Sequence, residues 1–293
     1  MTHHWCGMYS NNESHATIRE IAQKSPGLYG VYKRVKMRDL FDEHGDIDIK
    51  SVVEDAIVAR EVGLKLSIMV EDKTFDGTNP LPEHIAHLTK KNTNGTGYVA
   101  IRWNNDVLQE TIRALCGVQL VETVHSVCLQ ETAPSMKDHD LDITGYTPEL
   151  YGDIYVDVLK ELHRVAPGKP VHWFTNYFAR DHLGKNIDRA LEAVYQQGNV
   201  RLGGPDWWPE SAALNERSYP RFLPWHERGV PTFIGMSKPS YEQQHEGGFY
   251  TPSELLDGAQ DTLAVDEVFW MYVKAPPAEG AYCYFDATHM FND

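Results

Sequence analysis

The chain has no apolar run approaching the roughly 20 residues that cross a bilayer, which excludes a membrane-embedded protein. It also lacks a Lys/Arg cluster, and its formal net charge of −15 repels phosphate backbones, which argues against a nucleic-acid partner. Cysteine is sparse. Cys6, Cys116, Cys128 and Cys283 lie far apart with no CxxC pair, so neither a zinc ribbon nor a disulfide scaffold is indicated, and small buried hydrophobes are expected. HExxH, GxSxG and GxGxxG are all missing, which removes the signatures of zinc hydrolases, acyl-transfer hydrolases and dinucleotide-binding folds. No cofactor or metal is expected. The histidines are scattered, and the acidic run KDHDLDITG (137–145) reads as solvated loop charge rather than a Ca²⁺ loop. The opening MTHHWCGMYS shows no basic stretch followed by an apolar one, so a soluble protein without a visible secretory signal is read, secreted or cytoplasmic.

What is present is an alternation. Strand-like WCGMYS is followed by a helical pattern ending before Gly27, then LYGVYKRVKM, then a helix stopped by Gly63, then LKLSIMVED. The pattern continues through NDVLQETIRALCG and LVETVHSVCLQE to a helix with Thr147 as cap and Pro148 at its first position, then PVHWFTNYF. Three more helix and strand pairs follow, and Trp5, Tyr29, Leu64, Val121, Val171, Val200, Thr232 and Val268 mark eight strands. Such alternation forces parallel pairing with right-handed crossovers, and eight units of about 30 residues favour closure. The expected fold is α/β, a (β/α)8 TIM barrel occupying 1–293 as one domain, with an open doubly wound sheet as the alternative.

In such a barrel chemistry sits at the C-terminal ends of the strands. Those ends offer Ser10 and Asn11, Arg34 and Lys36, Glu71 and Asp72, Gln130 and Glu131, Asn176 and Tyr177, Asp206 and Trp207, Ser237 and Lys238, then Trp270, Tyr272 and Lys274. Carboxylates, amides and indoles together suit a carbohydrate, whose hydroxyls take polar partners and whose CH faces pack on aromatic rings. Trp103, Trp207, Trp208 and Trp270 are the candidate platforms, although seven tryptophans could equally be core. Glycoside cleavage needs an acid for the leaving oxygen and a second carboxylate as nucleophile or base. Glu131, at the end of an apolar strand, is the candidate acid because burial there favours its protonated form.

The run YKRVKMRDLFDEHGDIDIKSVVEDAIVAREVGLKLSIMVE resembles the second and third units of clan A glycoside hydrolases, retaining barrel enzymes with an Arg on strand 2 and an acidic-Gly-aromatic segment after it. Arg34 and LFDEHGDIDI occupy those places. The resemblance implies that Glu131 of the Gln130-Glu131 pair stands where the acid/base of an Asn-Glu pair ends strand 4. It also implies a nucleophilic Glu at the end of strand 7, where this chain has Ser237 in GMSKPSYE. The second carboxylate must then come from elsewhere, with Asp206 preferred because GGPDWW places it beside two indoles, and Glu71, Asp72 or Glu242 as alternatives.

These observations converge on a glycoside hydrolase acting on a poly- or oligosaccharide, with Glu131, Asp206 and Glu71 as catalytic carboxylates. Arg34, Gln130, Asn176, Tyr177, Trp103, Trp207, Trp208, Trp270 and Lys274 would contact the sugar. Two other readings are an inactive carbohydrate-binding barrel and a Schiff-base aldolase using Lys238 or Lys274. Linkage, stereochemistry and oligomeric state have no signature in the sequence.

Overall fold

The computed structural model describes residues 2–8, 14–93, 95–211, 218–272, 278–279 and 281–292. Its main strands are β1 (His3–Met8), β2 (Gly30–Lys36), β3 (Lys65–Glu71), β4 (Ser126–Leu129), β5 (Val171–Phe174), β6 (Val200–Gly204), β7 (Thr232–Met236) and β8 (Glu267–Met271). Each pairs in parallel with the next, and β8 returns to β1 to close the barrel. Parallel strands covered on both faces need apolar side chains at successive positions, and SVCL, VHWF, TFIGM and EVFWM are buried throughout.

Helices α1 (Ser14–Lys24), α2 (Lys50–Glu61), α3 (Asn105–Leu120), α4 (Pro148–Val165), α5 (Lys185–Val194), α6 (Phe222–Glu227), α7 (Pro252–Leu263) and α8 (Tyr284–Ala287) follow the strands in turn. Their starts are set locally. Thr147 accepts the Leu150 N–H, with Pro148 at the first helical position, and Thr251 forms a capping box with Glu254. This is the (β/α)8 TIM barrel that the alternation predicts.

The structure departs from the sequence pattern at three places. The apolar run predicts strand 4 from Leu120, but α3 continues through Gly117 to Leu120 and β4 begins only at Ser126. The Lys169 ammonium donates to the carbonyls of Gln119 and Val121 at 2.8 and 2.6 Å, which satisfies the helix end and keeps this segment out of the sheet. YVAIRW supplies Tyr98–Ala100, paired antiparallel with Thr89–Lys91 as a hairpin outside the barrel. The acidic run expected as loop contains a short helix, Asp138–Ile143, whose Asp142 pairs with Arg180 at 2.8 Å.

Aromatic and thioether side chains fill the barrel interior. Trp5 stacks on Phe269 with ring centroids 5.4 Å apart, Phe174 meets Phe233 edge-on at 4.6 Å, and Tyr32, Met69 and Met271 complete this cluster. At the N-terminal end of the barrel, Glu267 accepts from Trp5 Nε1 at 2.6 Å, and its carboxylate pairs with Arg201 at 2.7 Å and His172 at 3.2 Å. Those partners and the neighbouring charges hold its carboxyl at about 2 although burial pushes it up.

Candidate active site

Three strand ends are braced against one another before any ligand is considered. The side chain of Gln130 accepts the Asp72 and Lys73 N–H groups at 2.8 and 2.7 Å and donates to the Lys73 carbonyl at 2.8 Å, tying the exit of β3 to that of β4. Asp72 takes a two-pronged ion pair from Arg102, at 2.6 and 2.5 Å. Arg102 in turn donates to the Glu131 carbonyl at 2.9 Å and to the hydroxyls of Tyr151 and Tyr155. Arg102 and Asp72 are both buried, so each neutralises a charge that the core would not tolerate alone.

Glu131 is the residue this bracing presents. One carboxyl oxygen, Oε1, accepts from the Lys73 ammonium, and the other, Oε2, accepts from Asn176 Nδ2 at 3.1 Å. Asn176 is itself fixed by its backbone N–H on Thr132 Oγ1 at 2.8 Å. The ammonium of Lys73 is buried, and its other acceptors are the Ala133 carbonyl at 3.3 Å and Ser135 Oγ at 3.2 Å. Burial pulls the Lys73 ammonium down, while the Glu131 charge opposes it.

The expected proton affinity of Glu131 is reversed. Burial does push its carboxyl up, as the apolar strand suggests, but the Lys73 charge and the hydrogen bonds from Lys73 and Asn176 outweigh burial and hold it below the usual range. Asp206 shifts the other way. Burial and the nearby Glu131 charge raise its carboxyl against the Ser237 hydrogen bond and the charges of Arg34 and Lys73.

Asp206 sits at the end of β6 with φ of +57°, a left-handed conformation that Asp tolerates better than most residues. The glycines before it are there for space rather than for flexibility. A Cβ on Gly203 would lie 2.3 Å from the Phe233 ring, and one on Gly204 would lie 2.7 Å from Tyr219. Ser237, standing where clan A carries its strand-7 Glu, donates its hydroxyl to Asp206 Oδ1.

Glu131, Asp206, Arg34, Gln130 and Ser237 line one cavity of about 410 Å³ at the C-terminal mouth, floored by Tyr32, Phe174 and Phe269. The size lies within the usual range of small-ligand sites. Glu71 does not line it. Its carboxylate is buried and committed to Arg34 Nη2 at 2.5 Å, so of the carboxylates offered as partner to Glu131, Asp206 is the one on the cavity wall.

The tryptophans are not at this mouth. Trp207 and Trp270 are 0% exposed and Trp103 8%, with their indole N–H groups bonded to Leu255 O, His4 Nδ1 and Thr144 O respectively. Their large apolar area places them in the core, and Trp208 is half-buried against it. Tyr177 is half-buried, and Lys274, like Ser10 and Asn11, lies outside the described residues. Phe75, Lys73 and Arg102 carry no signature in the sequence. Among the described residues Phe75 is the only exposed aromatic, at 46%, and it lines the same cavity.

No family model matches the sequence, and no curated protein matches it. Solved structures do match. A β-galactosidase from the psychrophilic Marinomonas ef1 superposes with a TM-score of 0.61 at 10% identity, over 99% of this chain and 59% of that one. A GH5_18 protein from Streptomyces cattleya, in complex with GlcNAc, gives 0.64 at 14% identity, over 94% of this chain and 73% of that one. Its structural neighbours include clan A glycoside hydrolases. A D-psicose 3-epimerase structure, with D-fructose, also superposes, with a TM-score of 0.58 at 10% identity over 99% of this chain and 96% of that one. At such identities the likeness is one of fold. The chain spans about three fifths of the β-galactosidase's length.

Proposed function

We propose that this barrel is a glycosidase that cleaves a poly- or oligosaccharide with Glu131 and Asp206 as its two carboxylates. The observation that carries the reading is the pair itself: two half-buried carboxyls on one cavity wall, pushed to opposite sides of their ordinary proton affinities. Arg34, Asn176 and Tyr177 are the proposed polar contacts. Gln130 shapes the mouth by holding the backbone, and Phe75 replaces the tryptophans as apolar platform.

A panel of phenyl β-glycosides of mannose, galactose, xylose and N-acetylglucosamine, with β-linked manno- and xylo-oligosaccharides, tests the activity. Product release by the native protein is expected on at least one member, with Glu131→Gln and Asp206→Asn each reducing it by about 100-fold or more while the folded circular dichroism signal persists. Sugar binding without turnover would favour the inactive binding barrel. Turnover unaffected by either substitution would overturn the proposal.

A further inference from the structure

The two carboxylates are not interchangeable, and hydrogen-bond direction alone separates them. Both oxygens of Glu131 face donors: the Lys73 ammonium on Oε1 and the Asn176 amide N–H on Oε2. Both bonds are strongest to the charged form, and one comes from an ammonium, so the two donors favour the carboxylate over the acid. Lys73 cannot turn away, because its ammonium is buried, its remaining acceptors are Ala133 O and Ser135 Oγ, and its backbone is clamped on both sides by Gln130. Asp206 is arranged differently. Ser237 donates to Oδ1, and Oδ2 has no hydrogen-bond partner among the described residues, so a proton there displaces no hydrogen bond and faces no ammonium.

From this geometry we infer that the strand roles expected from clan A are exchanged: Asp206 at the end of β6 is the general acid, and Glu131 at the end of β4 is the charged partner, kept so by Lys73 as its positioning residue. The assignment rests on the glycosidase reading for its chemistry. When the C1–O bond breaks, its electron pair stays on the leaving oxygen, which takes the proton of Asp206. Positive charge developing at C1 is balanced by the Glu131 carboxylate, and water then supplies the hydroxyl to C1 and returns one proton to the pair. The exchange also accounts for Ser237, which stands in the place of the strand-7 Glu and positions the acid instead of attacking.

Leaving-group dependence tests the roles. With 2,4-dinitrophenyl and phenyl β-glycosides of the same sugar, Asp206→Asn is expected to lower kcat/KM on the phenyl substrate by about 100-fold or more but on the dinitrophenyl substrate by less than about 10-fold, since a good leaving group needs no proton. Glu131→Gln should lose both. The opposite pattern would overturn the exchange. If the native protein hydrolyses no member of the panel, that failure falls on the glycosidase reading, and the roles are still read from carboxyl ¹³C titrations assigned with the same two variants. Glu131 is expected to titrate below Asp206, the one lowered and the other raised from its ordinary value, whereas Glu131 titrating above Asp206 would refute the assignment. Lys73→Met should raise the Glu131 midpoint, since the Lys73 charge and hydrogen bond are what lower it. Should that variant not fold, the native titration decides alone.

Discussion

Water solvates a phenyl ring poorly, yet Phe75 is held at 46% exposure on the rim of the cavity, with the Lys73 ammonium 5.2 Å from its ring centroid. Two residues carry the site in this way without a sequence signature: Phe75 by its exposure, Lys73 by its burial. Because little of the fold rests on an exposed ring, replacing it separates binding from stability. Phe75→Ala is expected to raise KM on the best substrate by about 5- to 10-fold with kcat nearly unchanged, the loss of one stacking contact of about 1 kcal/mol, and Phe75→Trp should restore it. Thermal unfolding should move little in either variant. An unchanged KM would remove Phe75 from the site.

At the scale of elements, the hairpin of Thr89–Lys91 and Tyr98–Ala100 explains how the segment after β3 is held. Thr74 N–H donates to Tyr98 O at 2.8 Å and Ala100 N–H to Asp72 O at 2.9 Å, so the hairpin lies directly against the backbone carrying Asp72, Lys73 and Phe75. Gly97 allows that approach. A Cβ there would fall 1.8 Å from the Thr74 carbonyl oxygen, a collision with backbone that no side-chain rotation relieves. Gly97→Ala should therefore destabilise by about 1 to 3 kcal/mol and also impair activity by displacing Lys73 and Phe75. Thermal unfolding together with kcat/KM checks this, and a variant as stable and active as the native protein would show that the hairpin does not support the site.

At the scale of the whole molecule, buried titratable groups at the N-terminal end of the barrel make stability depend on pH. His4 and His125 are lowered to about 4, by burial first and then by neighbouring positive charges. Their contribution is complete above the unfolded value of 6.5 and is lost as pH falls from there to about 4. Glu267, with its carboxyl at about 2, contributes above the unfolded value of 4.5 and loses that contribution as pH falls through the window down to about 2. Asp206, being raised, opposes the trend as a single group. The melting temperature is expected to drop between pH 7 and pH 4 by on the order of 10 °C. A flat profile would mean that folding does not shift the proton affinities of these groups from their unfolded values.

The order of helices and strands was legible because it depends on local periodicity: apolar runs of strand length between amphipathic helices leave parallel pairing as the outcome. Glu131 was legible for the same reason, as the carboxylate ending an apolar strand. What periodicity does not encode is which way a side chain faces once eight strands close. Trp103, Trp207 and Trp270 look like platforms in the chain and are core in the barrel, while Phe75 becomes a rim residue only because the hairpin supports its loop. The proton affinity of Glu131 is lowered chiefly by Lys73, which is 58 residues away in sequence and close only because β3 and β4 are neighbours. Sequence by itself determined the barrel and offered one carboxylate of the proposed pair. Tertiary structure put Asp206 on the same cavity wall and set the direction of each carboxyl's shift, because proton affinity depends on burial and on charges that only folding brings together.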